Sequence, residues 1–225
     1  MGPLTGDVLL VFVKEPRPGA VKSRLAAAIG PDRAARVYQA IAEEAIRRTA
    51  PRGDEFQRLL VFSPPEARER IAEWLPGEAL AEQSEGDIGE RMARAFEESF
   101  ARGARRVVLV GSDVPALSRE DVMEAIESLD DQDVVIGPAA DGGYYLLALK
   151  RADPGLFQGI EWSTPHVLTA TLDRAVRLGR SVRVLHTLAD VDTAEDLVAD
   201  WRRIAPLLPE ELRHEVAVRI GKADG

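Results

Sequence analysis

The chain contains no cysteine, although it is 225 residues long. Disulfide bonds, thiolate nucleophiles and cysteine–zinc sites are therefore excluded, and the composition suits a reducing compartment. The chain also has no apolar run near the roughly 18 residues that a membrane span requires. Its amino-terminal residues have neither the basic segment nor the apolar segment of a signal peptide. We therefore expect a cytoplasmic protein without a membrane span.

Positive charge is scarce relative to negative charge. The chain has 29 Lys and Arg residues against 38 Asp and Glu residues, which gives a formal net charge of -9. Nucleic-acid binding requires a basic face against the phosphate backbone, so this balance disfavours a nucleic-acid partner. The three histidines lack metal-ligand spacing. A Ser-His-Asp arrangement, a dinucleotide-binding G-x-G-x-x-G motif and a P-loop are also missing.

Strand-like and helix-like segments alternate along the whole chain. The apolar runs 8–13 and 107–110 fit strands that are covered on both faces. Segment 33–49 has the apolar spacing of an amphipathic helix. Because no linker or repeat divides the chain, we predict a single domain with a core over about 7–205. A carboxyl-terminal helix over 209–220 packs either on this domain or on a partner, and the oligomeric state stays open.

One connection length is informative about the sheet. The predicted strands 133–137 and 144–149 are separated by only six residues. A parallel crossover needs about a dozen residues or more. If the two strands are neighbours, they are antiparallel and the sheet of this α/β chain is mixed. Further along, Thr164 is predicted to cap a helix whose first position is Pro165.

Asp113 follows the buried strand 107–110 within the segment Gly111-Ser112-Asp113-Val114-Pro115. Open α/β sheets bind ligands just outside the carboxyl ends of their strands, and Pro115 prevents this strand from continuing. A divalent cation that accompanies phosphates prefers carboxylate oxygen in such a position. The alternative is that Asp113 only caps the turn.

A basic segment follows the first predicted strand. It surrounds a Gly/Pro turn with four cationic side chains in an otherwise acidic protein. Cations together with exposed backbone N–H groups make a phosphate cradle. We expect phosphate binding by Lys14, Arg17, Gly19, Lys22, Ser23 and Arg24. The alternative is a solvated basic loop.

Asp190 and Asp192 lie just before a predicted helix. Residues two apart on an extended segment point the same way, so both carboxylates can hold one cation together with Asp113. The alternative is that Asp192 and Thr193 are only helix-entry residues. Gly86, Asp87 and Arg91 precede or open another helix, where a nucleotide could bind. For Asp87, a capping role is sufficient by itself.

A glycine pair after an acidic residue marks the connection between the strands 133–137 and 144–149. The pair lets the backbone approach a ligand, and Asp141 would orient an acceptor or act as a base. The alternative is a plain turn followed by strand-forming tyrosines. We assign the acceptor side of the site to Asp141, Gly142, Gly143, Tyr144, Trp162 and Thr164.

Together these segments resemble one family over residues 8–203. It is the bacterial and archaeal family of GT-A-like transferases of the arsenosugar-biosynthesis or selenodomain-associated type, which long carried a domain-of-unknown-function label. The resemblance rests on segments 12–25, 86–92 and 111–115, on 141–145, on Trp162-Ser163-Thr164 and on 190–193. Ser23 departs from the threonine usual in the family but keeps the hydroxyl group.

The resemblance implies a nucleotide-diphospho-sugar transferase (GT-A) fold, with a mixed, mainly parallel sheet and helices on both faces. It also implies a Mg²⁺ or Mn²⁺ ion held by Asp113, Asp190 and Asp192 against nucleotide phosphates. A similar fold serves guanylyltransferases that activate phospholactate or phosphoenolpyruvate. We therefore expect transfer from a nucleotide-activated donor to a small-molecule acceptor, with glycosyl transfer first. The alternatives are nucleotidyl transfer and an idle nucleotide-binding module.

Overall fold

The structure, a computed structural model, describes residues 2–222. Its strands are β1 (Gly6–Lys14), β2 (Gln57–Ser63), β3 (Leu80–Glu82), β4 (Ala104–Gly111), β5 (Val134–Pro138), β6 (Tyr144–Leu149) and β7 (Val182–Val184). Its α-helices are α1 (Ser23–Ile29), α2 (Pro31–Arg48), α3 (Arg68–Trp74), α4 (Ile88–Ala101), α5 (Arg119–Ser128), α6 (Val167–Arg177), α7 (Ala194–Ala199), α8 (Trp201–Ile204) and α9 (Glu210–Arg219). Over the same residues, no helix is long and apolar enough to cross a membrane.

The strands form one mixed sheet in the order β3-β2-β1-β4-β6-β5-β7. Strand β6 runs antiparallel to both of its neighbours, β4 and β5. The other pairs, β1–β2, β1–β4, β2–β3 and β5–β7, are parallel. The short connection between β5 and β6 thus makes a hairpin, as its length predicted. The expected mixed, mainly parallel sheet is confirmed.

Helices cover both faces of the sheet, because the side chains of a strand point alternately to its two sides. Leu9 and Val11 of β1 belong to a buried cluster that includes residues of α3 and α5. Val8 and Leu10 belong to a second cluster, which includes Met92 and other residues of α4. A strand buried on both faces therefore reads as a continuous apolar run in the sequence.

The carboxyl-terminal helix α9 packs on its own chain. Leu212 and Val216 are buried in a cluster with residues of α1, α2 and α7. An ion pair of 2.6 Å between Arg33 Nε and Glu215 Oε2 also joins α2 to α9. This packing supports α1, the short helix that begins directly after the basic segment.

Three helix starts follow their capping signals, and a fourth does not. Asp87, Ser118 and Thr193 each make the capping box that their sequence indicates. The predicted cap at Thr164 is wrong, because α6 begins only at Val167. Thr164 instead donates its hydroxyl to the carbonyl of Glu161, at 2.9 Å, within a turn.

Candidate functional site

The crevice of the sheet lies where β1 and β4 part. Their last paired residues are Phe12 and Gly111. Beyond that pair, β4 continues into residues 112–118, which we call the Asp113 loop. Strand β1 continues into the basic segment, residues 14–25. The guanidinium of Arg48 holds the other end of the Asp113 loop. It donates to the carbonyls of Leu117, at 2.9 Å, and Ala116, at 3.2 Å. Asp113 therefore sits on a short loop that is fixed at both ends.

The basic segment is only partly a loop. Ser23 and Arg24 are the first residues of α1, which corrects the prediction that the loop extends through them. Lys22 immediately precedes this helix with a left-handed backbone, at a φ of 49° and a ψ of 51°. Lys14 and Arg17 remain exposed to solvent. The Lys22 side chain, in contrast to those of Lys14 and Arg17, is buried.

The ammonium group of Lys22 bridges two carboxylates. Its Nζ lies 2.9 Å from Oδ2 of Asp113 and 2.8 Å from Oδ1 of Asp192. The Lys22 side chain is only 5% exposed. Burial by itself would lower the pKa of Lys22, but the two carboxylates outweigh it and raise the pKa above its usual range. Burial would likewise raise the pKa of Asp113, but the charge of Lys22 outweighs it and holds that pKa below its usual value.

A third carboxylate completes the cluster. One carboxylate oxygen from each of Asp113, Asp190 and Asp192 lies within 4.8 Å of the others. Burial and the neighbouring charges of Asp113 and Asp141 raise the pKa of Asp190 to about 6. Such a set of oxygen donors suits a divalent cation. We call these three residues the acidic cluster.

Two backbone hydrogen bonds hold the Asp190–Asp192 segment in place. The N–H of Val191 donates to the carbonyl of Asp113 at 3.2 Å. Two residues before Asp190, the carbonyl of Leu188 accepts from the N–H of Ala140 at 3.0 Å. The segment therefore lies between the Asp113 loop and the β5–β6 hairpin, although it is far from both in sequence.

The hairpin brings Asp141 to the same side of the site as Asp190, because the N–H of the preceding Ala140 donates to the carbonyl of Leu188. The charge of Asp141 also contributes to the raised pKa of Asp190. Its Oδ1 accepts the N–H of Gly143 at 2.8 Å, so Asp141 does act as a turn residue. Gly142 has a φ of 91°, and a Cβ there would overlap the carbonyl of Pro165. Gly142 thus serves packing against the segment before α6, whereas a Cβ at Gly143 would meet the Asp141 side chain.

A second group of predicted residues gathers at the start of α4. Arg91 Nε donates to the carbonyl of Gly86 at 2.7 Å, while Asp87 caps the helix. The indole of Trp162 lies so close to Gly89 that a Cβ there would overlap the ring. Within residues 2–222 no hydrogen bond or ion pair joins this group to the acidic cluster.

No hydrogen bond joins Tyr144 or Thr164 to the acidic cluster in the described part of the chain. The hydroxyl of Tyr144 lies 3.9 Å from the sulfur of Met92, among the apolar side chains beneath α4. A cavity of about 350 Å³ also lies apart from every predicted site residue, and half of its lining residues are arginines. Two of these, Arg47 and Arg119, are already paired with glutamates.

One residue next to the crevice, Tyr38, was missed by the sequence analysis. Tyr38 is 4% exposed, and its hydroxyl lies 2.9 Å from both the N–H of Lys14 and the hydroxyl of Ser112. The sequence signal was weak, because Tyr38 stands in the apolar stripe of α2 and reads as an ordinary core residue.

Known proteins are similar to this chain. Over 143 residues it is 32% identical to a 2-phospho-L-lactate guanylyltransferase of Methanothermobacter thermautotrophicus. That match covers 62% of this chain and 61% of the relative, so the chain spans less than two thirds of the relative's length. A phosphoenolpyruvate guanylyltransferase of Chloroflexus aggregans is 28% identical over 184 residues, covering 78% of this chain and 88% of the relative.

A solved structure matches almost the whole chain. It is a candidate nucleotide-diphospho-sugar transferase from Desulfovibrio desulfuricans G20, with a TM-score of 0.86 and 33% sequence identity. The match covers 97% of this chain and 99% of the other. The predicted fold and superfamily are therefore confirmed. The guanylyltransferase relatives favour the nucleotidyl-transfer alternative over the glycosyl-transfer interpretation.

A family profile matches residues 46–164, slightly more than half of the chain. The chain belongs to the family described as uncharacterized proteins conserved in bacteria (DUF2064).

Proposed function

We propose that this chain is a divalent-metal-dependent nucleotidyltransferase. It would transfer the nucleotidyl group of a nucleoside triphosphate to the phosphate of a small phosphorylated acid and release pyrophosphate. The proposal is carried by Lys22, whose ammonium lies between two carboxylates of the acidic cluster at the β1–β4 crevice. The guanylyltransferase relatives, named for 2-phospho-L-lactate and phosphoenolpyruvate, support these donor and acceptor classes.

The acidic cluster fits Mg²⁺ or Mn²⁺. Its donors are carboxylate oxygens within 4.8 Å of one another, which hard divalent cations prefer. The two carboxylates already accept a cationic group, the Lys22 ammonium, at hydrogen-bond distance. Asp113, Asp190 and Asp192 would hold the ion. When bound, such an ion neutralises charge on the phosphates of the donor and of the leaving pyrophosphate.

The cationic side chains would hold the donor phosphates. Lys22 stands within reach of both the acidic cluster and the crevice, and Arg24 lies 3.9 Å from Asp192. Lys14 and Arg17 are exposed and would add attraction for the polyphosphate, together with the backbone at Gly19. Ser23, at the start of α1, would donate its hydroxyl. The group formed by Gly86, Asp87 and Arg91 would contact the nucleoside.

The acceptor would bind on the hairpin side, against Asp141, Gly142 and Gly143, with Trp162 and Thr164 beyond them. In the reaction, an acceptor phosphate oxygen forms a bond to the α-phosphorus while the bond from that phosphorus to the pyrophosphate oxygen breaks. A phosphate monoester has a second pKa near 6 and is already ionised at pH 7. The nucleophile therefore needs no base, so Asp141 would orient the acceptor rather than deprotonate it.

Glycosyl transfer is the second candidate, because the Desulfovibrio structure is described as a candidate nucleotide-diphospho-sugar transferase. The same crevice would then hold a nucleoside diphosphate sugar. The two reactions differ in their products. Nucleotidyl transfer releases pyrophosphate, whereas glycosyl transfer releases a nucleoside diphosphate.

The experiment incubates the protein and Mg²⁺ with each of GTP, CTP, UTP and ATP, together with phosphoenolpyruvate or 2-phospho-L-lactate. Pyrophosphate is measured, and ³¹P NMR identifies the diphosphate product. We expect pyrophosphate from at least one pair, and its loss in Asp113→Asn. The control is Asp173→Asn, which removes an exposed carboxylate on α6. Release of a nucleoside diphosphate from sugar nucleotides, without pyrophosphate from any pair, would replace this proposal by glycosyl transfer.

A further inference from the structure

A side-chain contact joins the ends of β1 and β4 at the point where the two strands separate, which we call the β1–β4 fork. In the parallel ladder, Phe12 and Gly111 are the last pair, but Lys14 still pairs with Ser63 on the other side. The N–H of Glu15 donates to the carbonyl of Ser63 at 2.9 Å, so it points toward β2. Backbone N–H groups alternate along a strand, and the N–H of Lys14 therefore points toward β4.

Beyond the last β1–β4 pair, the side chain of Tyr38 replaces the next backbone hydrogen bond between the two strands. The N–H of Lys14 donates to the hydroxyl of Tyr38 at 2.9 Å, and a second 2.9 Å hydrogen bond joins that hydroxyl to the one of Ser112. Tyr38 comes from α2 and is 4% exposed, and Ser112 is 3% exposed. One phenol thus spans the gap between the ends of two strands.

The same residue also contacts the basic segment. The Tyr38 side chain lies in a small buried cluster with Val21, the residue directly before Lys22. Asp113 directly follows Ser112. Tyr38 is therefore attached to both sides of the crevice, to the cation-bearing side through Lys14 and Val21 and to the acidic side through Ser112.

We propose that Tyr38 is a positioning residue, whose hydroxyl fixes the separation between the basic segment and the acidic cluster. The proposal deepens the proposed function, because that separation is the space in which a metal-bound polyphosphate would lie. The acidic cluster is tied internally by the bond from Val191 to Asp113 and would move as one body with β4. In the metal-free protein Lys22 also joins the two sides, through Asp113 and Asp192. Once a metal replaces the ammonium at these carboxylates, loss of the Tyr38 hydroxyl displaces the basic segment relative to the cluster and leaves the cluster itself intact.

The test compares Tyr38→Phe with the wild type by calorimetry, with Mg²⁺ alone and with GTP at saturating Mg²⁺. We expect the affinity for GTP to fall roughly tenfold, which corresponds to about 1.4 kcal/mol. The affinity for Mg²⁺ alone stays within about twofold, since its ligands are unchanged. A residue with only a structural role would lower the melting temperature without separating these two affinities.

Tyr145→Phe is the matched control. Tyr145 is also 4% exposed, and its hydroxyl donates to a backbone carbonyl, that of His186, at 3.3 Å. Its removal should cost stability without changing either affinity. Ser112→Ala removes the other end of the bridge, and we expect the double variant with Tyr38→Phe to lose no more GTP affinity than Tyr38→Phe alone.

A second readout does not depend on nucleotide binding. The chain has no cysteine, so two spin labels can be attached at Ala20→Cys in the basic segment and at Ala140→Cys in the β5–β6 hairpin, both of which are exposed positions. The N–H of Ala140 donates to the carbonyl of Leu188, so the second label reports on the side of the acidic cluster. With Mg²⁺ present, Tyr38→Phe should broaden and shift the label distance distribution, and Tyr145→Phe should not. If the wild type binds no nucleotide, the proposed function fails. The distance between the two labels then tests the positioning role of Tyr38 by itself. An unchanged distribution would overturn the positioning role of Tyr38.

Discussion

Lys22→Met should produce two opposite changes in binding. The substitution removes the ammonium group but keeps an unbranched apolar stem at a position that is only 5% exposed. Because methionine and lysine both carry a Cβ, the left-handed backbone at this position is equally strained in both. The variant therefore isolates the charge that lies between Asp113 and Asp192.

The first change concerns the metal. In the metal-free protein the Lys22 ammonium occupies the two carboxylates at 2.9 and 2.8 Å, so a divalent cation must compete with it. Hydrogen bonds to charged groups contribute about 1.5–3 kcal/mol each. The carboxylates of Asp113 and Asp192 are 37% and 41% exposed, and solvent screening reduces that value. Removing the competitor should raise the affinity for Mn²⁺ alone by roughly tenfold, or about 1.4 kcal/mol.

The second change concerns the nucleotide. Once a metal occupies the acidic cluster, the ammonium is free to hold a phosphate, and the variant lacks it. We expect the affinity for a nucleoside triphosphate at saturating Mn²⁺ to fall by about 1–3 kcal/mol, the scale of a charge-assisted contact. Isothermal calorimetry measures both constants on the same preparation.

Lys14→Met is the matched control for this prediction. It removes an equal charge from the same segment, but Lys14 is exposed and forms no ion pair within residues 2–222. Its affinity for Mn²⁺ alone should therefore equal that of the wild type. If Lys22→Met leaves the affinity for Mn²⁺ alone unchanged or weaker, Lys22 does not compete with the metal and the reasoning is refuted.

Two further predictions concern pH and packing. Because the pKa of Asp190 is raised to about 6 from 3.8, the folded protein holds this proton more tightly than the unfolded chain. The metal-free protein should therefore lose thermal stability as the pH rises from about 4 to about 6, whereas affinity for Mg²⁺ should increase over that range and level off above it. Gly89→Ala should destabilise the protein by about 1–3 kcal/mol, because the new methyl group displaces the Trp162 ring. Its unfolding midpoint in urea and its tryptophan fluorescence report both effects.

Each of these has its own decisive comparison. Asp190→Asn should abolish the pH dependence of Mg²⁺ affinity below pH 6, and a dependence that survives would assign the titration to another group. For Gly89→Ala the sign of the change is diagnostic. An alanine in place of a helical glycine ordinarily stabilises by about 1 kcal/mol. A more stable variant would therefore show that the ring does not depend on this close approach.

Local signals in the sequence predicted much of the fold. The capping boxes at Asp87, Ser118 and Thr193 depend only on residues within one turn, and each marks a helix start in the structure. The six residues between the predicted strands 133–137 and 144–149 excluded a parallel crossover by length alone. The apolar runs of β1 and β4 predicted strands buried on both faces, because such strands lack a polar side.

The errors have physical reasons too. Strand β3 and helix α1 were not predicted from the sequence. They are three and seven residues long, which is too short for a periodic signal to develop. At Thr164 the local sequence predicted a helix cap, but a tertiary contact shifts the start of α6 to Val167. The backbone at Pro165 packs against Gly142, and the N–H of Leu168 donates to the Gly142 carbonyl at 2.9 Å, which delays the start of α6.

By itself, the sequence determined the α/β class, the mixed sheet and the residue types that gather at one sheet edge. These properties depend on composition, on periodicity and on the length of one connection. Only the tertiary structure decided that Lys22 lies between Asp113 and Asp192, which are 91 and 170 residues away along the chain. It also decided that Tyr38 bridges the β1–β4 fork. Neither contact leaves a local pattern, because each joins elements whose meeting depends on the order of strands in the sheet and on the packing of α2 beneath them.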